Sequence, residues 1–169
     1  MDNVYLVLPS IEHEQSYTNM MVEWENAGGH IYPGAIRRKG MNYFDWLNLV
    51  KSYNHKETCP SHLVPSDTYF LVNDKGKIIG AISIRHYLNG NLLNTGGHIG
   101  YGIRPSERKK GYAKTMLKMA LEKCIELDMK RILITCDKTN IGSAKTILAN
   151  GGILENEVAE DDGNVVQSY

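Results

Sequence analysis

The chain has 169 residues, 42% of them hydrophobic, with 19 basic and 19 acidic side chains. That length favours one domain over residues 1–169 with a proper core, and the zero net charge argues against a global footprint for nucleic acid or an anionic membrane. No apolar stretch approaches the ~20 residues of a membrane span. The three cysteines, Cys59, Cys124 and Cys136, are scattered without disulfide-framework or metal-type spacing, and the first residues lack a signal-peptide pattern, so a reduced, cytoplasmic protein without metal is expected.

Along the chain, Val4 to Leu8 reads as a strand closed by Pro9. Ser10 can cap a helix to about Asn26, with Glu12 and Glu14 favourable in its first turn and Ala27-Gly28-Gly29 at its end. A loop over residues 30–41 leads to a second helix, Asn42 to Tyr53, with Tyr43, Trp46, Leu47 and Val50 on one face. After a loop over 54–67, Thr68 to Val72 and Lys77 to Arg85 read as strands joined by the turn Asn73-Asp74-Lys75-Gly76. A polar loop, Asn89 to Gly96, precedes a strand from Gly97 to Ile103. An amphipathic helix then runs to about Leu127, with Ala113, Leu117, Leu121 and Cys124 along one stripe. Arg131 to Cys136 is β-rich, Ile141 to Asn150 is a short helix, and Gly152 to Val158 pairs with Asn164 to Tyr169 across Asp161-Asp162-Gly163.

The chemistry concentrates between the Gly97–Ile103 strand and the helix after it, in Arg104-Pro-Ser-Glu-Arg-Lys-Lys-Gly-Tyr-Ala113. A helix start exposes unpaired N–H groups and the positive end of the helix dipole. A glycine that lets a ligand approach the backbone, with cations beside it, makes a seat for a phosphate or pyrophosphate. Two other phosphate motifs fail. Gly100-Tyr101-Gly102 is followed by Pro105 where a dinucleotide fingerprint needs its third glycine, and no Gly-Lys-Ser/Thr exists for a Walker A loop.

Arg108-Lys109-Lys110-Gly111-Tyr112-Ala113 resembles the Gln/Arg-x-x-Gly-x-Gly/Ala signature of the GNAT superfamily of acetyl-CoA-dependent N-acetyltransferases. Downstream, Asn140-Ile141-Gly142-Ser143-Ala144-Lys145 and Asn150-Gly151-Gly152 resemble that family's second block, and the two blocks together span 97–153. The wording is most similar to small bacterial acetyltransferases. The resemblance implies an α/β fold with a mixed antiparallel and parallel sheet flanked by helices. It implies that the amides around Lys109, Lys110, Gly111, Tyr112 and Ala113 hold the CoA pyrophosphate, with Arg108 and its neighbouring lysines neutralising phosphate. It also implies that the backbones of Tyr101 and Ile103 pair with pantetheine, and that Asn140, Ser143 and Lys145 approach the cofactor. Asn140 equally reads as a plain N-cap and Lys145 as an exposed lysine.

The sequence departs from the family at the acid. Many members have a tyrosine seven residues after the Asn, and here that position is Ile147, with Gly152 where an aromatic residue is usual. Water, Tyr101, Tyr112 or the product ammonium could protonate the thiolate instead. For the base, the commonest register gives Gly97. His98 lies next door, and Glu107, His86 and Tyr101 are alternatives to it. His98 and Tyr101 are the catalytic candidates. Cys136 reads as a small buried residue without a basic partner.

The segment 30–67 holds Tyr32, Tyr43, Trp46, Tyr53, His55 and His62. In the family this region walls the acceptor site; a satellite core under a long loop explains it equally. The expected function is transfer of acetyl from acetyl-CoA to a small-molecule or peptide amine by direct attack in a ternary complex. A non-catalytic acyl-CoA-binding module is the alternative. Dimerisation is common in the family, so a homodimer is possible on the resemblance alone.

Overall fold

A computed structural model describes residues 2–169. Its elements are β1 (Val4–Val7), α1 (Glu14–Ala27), α2 (Tyr43–Ser52), β2 (Ser66–Asn73), β3 (Ile78–Arg85), β4 (Ile99–Ile103), α3 (Tyr112–Glu126), β5 (Thr135–Asp137), α4 (Ile141–Leu148), β6 (Asn156–Ala159) and β7 (Val165–Ser168). A short 3₁₀ turn, Ile11–His13, leads into α1. The polar loop before β4 contains a π-helical turn, Leu92–Gly96.

The first sheet has the order β1-β2-β3-β4. Its central strands are buried nearly throughout because both faces are covered. Side chains alternate across it. Leu71, Ile79, Ile82 and Ile84 join α3 residues Met116, Leu117, Ala120 and Cys124 in one core. Phe70, Val72, Ile78 and Ala81 face the other way, onto Tyr17, Met20 and Trp24 of α1 and Tyr43, Trp46 and Val50 of α2. The β2–β3 turn forms as its sequence implies: Gly76 N–H donates to the Asn73 carbonyl at 2.9 Å, and Asn73 Oδ1 accepts from Lys75 and Lys77.

The second sheet has the order β5-β7-β6, so every ladder is antiparallel. The parallel pairing of the expected mixed sheet is not seen among the described residues. β4 and β5 meet only at their starts, where His98 N–H donates to the Leu133 carbonyl at 2.7 Å. The Leu133 N–H then goes to the His98 ring nitrogen Nδ1 at 2.9 Å, not to a strand. The His98 carbonyl is taken by the Arg85 N–H of β3, and beyond this point β4 and β5 exchange no backbone bond. β5 is shorter than the expected Arg131 to Cys136, although Ile134 and Tyr169 still exchange both backbone bonds at 2.9 Å.

Candidate active site

β4 presents a free backbone edge to the gap. Arg85 N–H donates to the His98 carbonyl and Arg104 N–H to Ile79, and the β3–β4 register pairs Ala81 with Gly102. In an antiparallel ladder, residues that bond to the partner alternate with residues that turn away. The His98 carbonyl, the backbone groups of Gly100 and Gly102 and the Arg104 N–H therefore face β3, and Ile99, Tyr101 and Ile103 turn their N–H and C=O groups toward the gap. The Ile103 carbonyl confirms this direction, because Arg108 Nε donates to it at 3.0 Å.

The gap opens into a cleft of about 560 Å³. Tyr101, Gly102 and Ile103 form its floor, and Arg108, Lys109 and Gly111 to Lys114 close one end. Gly111 adopts φ +85° as the N-cap of α3, in the left-handed region that favours glycine. It offers no side chain to the first turn, and that turn carries no acidic residue. The amides and the positive end of α3 thus meet the cleft, and the carboxylate that lines it, Glu107, is paired with Lys77 and Lys110. Arg108 does not reach out freely: its guanidinium lies 5.5 Å from the Trp24 ring centroid while Nε holds Ile103.

The loop before α3 is braced from below. Glu107 is buried, and its carboxylate binds Lys77 and, at 2.9 Å, Lys110. The hydrogen bond from Lys77 holds the Glu107 carboxyl below the usual carboxylate range. Glu23 of α1 accepts from Arg104 Nε and from Ser106 N–H, each at 2.6 Å.

The opposite wall is Asn140, Gly142, Ser143 and Thr146 of α4. Asn140 is the N-cap, its Oδ1 accepting from Ser143 N–H at 3.1 Å. Tyr101 reaches across the gap, its Oη 2.8 Å from Ser143 Oγ. Burial raises the Tyr101 pKa, and the Ser143 bond pulls it back in part. Ile147 is buried in the core, and a Cβ on Gly152 would lie 2.5 Å from its Cγ2. The missing tyrosine and the missing aromatic residue are therefore one packing arrangement: the isoleucine fills the space that a side chain at 152 would need.

The predicted residues divide. Tyr101, Ile103, Arg108, Lys109, Gly111, Tyr112, Ala113, Asn140 and Ser143 all line this cleft. Lys110 does not, because Glu107 binds its ammonium, and Lys145 is exposed on α4 outside it. His98 lies outside this cleft. It faces a different cavity, with Leu93, Ile132 and Leu133, and burial lowers its pKa. A ring nitrogen that accepts the Leu133 amide proton carries none of its own, so His98 Nδ1 serves as a strand cap. His86 lies 3.1 Å from Asp67, and Glu107 is committed to two lysines. Cys136 is buried, and burial raises its pKa.

Trp24, His30 and Tyr32 also line the cleft; Trp24 has no signal in sequence, whereas the other two begin the aromatic-rich segment. They are placed by close approach to β4, where a Cβ on Gly102 would lie 2.4 Å from the Tyr32 carbonyl oxygen and 2.8 Å from the Trp24 ring. The segment they belong to is pinned by core aromatics: Trp24 Nε1 donates to the His30 carbonyl at 3.2 Å and Trp46 Nε1 to Ala35 at 2.9 Å. Of the aromatic-rich region, Tyr32 and the neighbouring His30 line the cleft. Tyr43 and Trp46 are core, Tyr53 packs against that core, and His55 and His62 are exposed.

No protein of curated function matches the chain in sequence. Among solved structures, ribosomal-protein-S5-alanine acetyltransferase from Vibrio fischeri superposes with TM-score 0.70 at 18% identity, covering 100% of this chain and 93% of its own. The microcin C7 self-immunity acetyltransferase MccE, solved with acetyl-CoA and AMP, gives 0.66 at 18% identity with the same coverage. A spermidine N-acetyltransferase SpeG chimera from Vibrio cholerae and hSSAT gives 0.65 at 14%, covering 98% of this chain and 93% of its own. The family model described as acetyltransferase (GNAT) family matches residues 35–150, which include the β4 edge, the loop before α3 and all of α4. With the free strand edge and the helix start in the places where its sequence signature lies, this chain belongs to the GNAT acetyltransferase family.

Proposed function

We propose that the chain moves the acetyl group of acetyl-CoA onto the amine of a small-molecule or peptide acceptor, by direct attack in a ternary complex. The observation that carries this reading is the junction of two binding elements in one cleft: the free edge of β4 and the bare start of α3. The first suits the amide arm of pantetheine, through the N–H and C=O of Tyr101 and the N–H of Ile103. The second suits a pyrophosphate, through the amides of Gly111, Tyr112, Ala113 and Lys114. Lys109 and Lys114 supply charge at that end, and Arg108 shapes the floor.

The acceptor must arrive as a neutral amine, since a lysine-like amine has a pKa of ~10.4. Its lone pair forms the bond to the thioester carbon, the oxyanion meets a backbone N–H of the β4 edge, and the carbon–sulfur bond breaks. The amine proton leaves to water. We assign the proton that neutralises the thiolate to Tyr101 Oη, in place of the tyrosine that Ile147 replaces. Much of the rate then comes from alignment of amine and thioester. The related structures named above include enzymes for a ribosomal-protein alanine and for spermidine, which supports an amine as the acceptor group.

We propose further that residues 1–169 act as one domain, in the cytoplasm, and as a homodimer. Near-complete coverage by the structural relatives supports the first, and three free cysteines support the second. Exposed apolar side chains such as Ile153 and Leu154 support the third. No helix among the described residues is long and apolar enough to cross a membrane. The deciding experiment is thiol release from acetyl-CoA over a panel of amines. Amine-dependent release is expected; binding of acetyl-CoA without release for any amine would leave a non-catalytic acyl-CoA-binding module.

A further inference from the structure

A second cavity, of about 730 Å³, lies on the other side of the segment that walls the cofactor cleft. Met21 and Glu25 of α1, Ile31, and the turn from Arg37 to Asn42 line it. Three cations, Arg37, Arg38 and Lys39, face one carboxylate, Glu25, in a chain whose net charge is zero. Among the described residues none of the three makes an ion pair, although Arg37 and Arg38 are half-buried. The nearby Asp45 is engaged by Asn42 instead.

Half-buried guanidinium groups without a carboxylate are costly unless something holds them. Here aromatic rings do. Arg38 lies 5.5 Å from the Tyr17 ring centroid and Arg37 lies 5.7 Å from that of Tyr32, while Arg37 Nε donates to the Ile31 carbonyl at 2.8 Å. The charges are thereby fixed in place before any ligand arrives, which lowers the cost of binding. The same contacts join the two cavities, since Ile31 lines this one and Tyr32 lines the cofactor cleft.

We propose that this cavity is a second anion site, for a phosphate or a cluster of carboxylates on a small molecule, separate from the cofactor cleft and coupled to it through Arg37 and Tyr32. The anion site itself does not depend on acetyl transfer and stands or falls on anion binding, whereas its coupling to the cleft rests on the proposed function. The anion has two sources to separate, a phosphate carried by the acceptor amine and a free effector.

The test is calorimetric titration of inorganic pyrophosphate into protein saturated with CoA, so that the anion seat at α3 is already filled. One saturable event is expected, weakened by about tenfold or more in Lys39→Glu and in Arg38→Gln. Lys39 is exposed, so its variant keeps the fold even if loss of the Arg38–Tyr17 contact does not; an unchanged melting temperature and CoA affinity verify this. No saturable binding to the CoA-loaded wild type, or equal binding in Lys39→Glu, overturns the site. For the source, acetylation of O-phosphoethanolamine is compared with that of ethanolamine. An advantage for the phosphorylated amine that Lys39→Glu abolishes puts the anion on the acceptor. A change in ethanolamine turnover on adding pyrophosphate makes it an effector. Neither effect, with both amines turned over equally, overturns the coupling through Arg37 and Tyr32.

Discussion

The Tyr101 hydroxyl lies 2.8 Å from Ser143 Oγ, so a strand and a helix on opposite sides of the gap share one hydrogen bond at the floor of the cleft. An acid at this point must keep its proton, and burial raises the Tyr101 pKa above the ordinary phenol value of about 10. The kcat/KM profile should therefore rise with deprotonation of the acceptor, level off, and descend only above about pH 10. Tyr101→Phe should lose that descending limb and between about 10² and 10⁴ in rate. Ser143 stabilises the phenolate, so Ser143→Ala should move the limb to still higher pH. An identical profile in wild type and Tyr101→Phe would return the proton to water.

Acetyl-CoA should stabilise the fold. At a concentration of about 100 times its dissociation constant the gain is ~2.7 kcal/mol. For a chain of this length that is a rise in melting temperature of roughly 5–10 °C, with much smaller shifts from NAD and ATP. Absence of a shift at millimolar acetyl-CoA would contradict the assignment of the cleft.

Gly111→Val should abolish acetyl-CoA binding by equilibrium titration. The side chain would stand where the pyrophosphate meets the amides, and φ +85° adds about 1–2 kcal/mol of backbone strain. Arg108→Ala should be milder for phosphate, because the Arg108 side chain holds Ile103 and Trp24. Acetyl-CoA binding by Gly111→Val at the wild-type level would take the phosphate away from this helix start.

These positions were legible in sequence for local reasons. A glycine between cations and a helix, and an Asn opening a helix, each state a backbone requirement within a few residues. What was not legible depends on contacts across the chain. His98 looks like a candidate base in sequence, yet its ring accepts the N–H of Leu133, 35 residues away, and faces another cavity. Tyr32 and Trp46 belong to one aromatic-rich stretch, yet one walls the cleft and the other is core, because the close approach at Gly102 decides which segment covers β4. Lys110 sits in the motif as a phosphate partner, but a buried carboxylate three residues earlier claims it.

No covalent enzyme intermediate should form. Burial raises the pKa of Cys136, which disfavours the thiolate needed for attack. Cys136→Ala should keep most activity. Acetyl label retained on the wild-type protein before any acceptor is added, and absent from the variant, would contradict direct attack.

Glu107 links the loop before α3 to β3, and its effect should depend on pH. Its folded pKa is depressed, chiefly by Lys77. It therefore contributes stability above its unfolded value, ordinarily about 4.3, and loses it as pH falls through the lower folded value. Glu107→Gln leaves Lys77 and Lys110 without their carboxylate, at a cost of about 1–2 kcal/mol given that both lysines are well exposed. At pH 7 its melting temperature should be lower by roughly 2–8 °C. Below about pH 4 the gap should close, because the wild-type carboxyl is then being protonated as well. Melting curves of both proteins from pH 7 to pH 3 test this, and a gap that stays constant across the range would mean that the substitution acts through packing and not through the charge of Glu107.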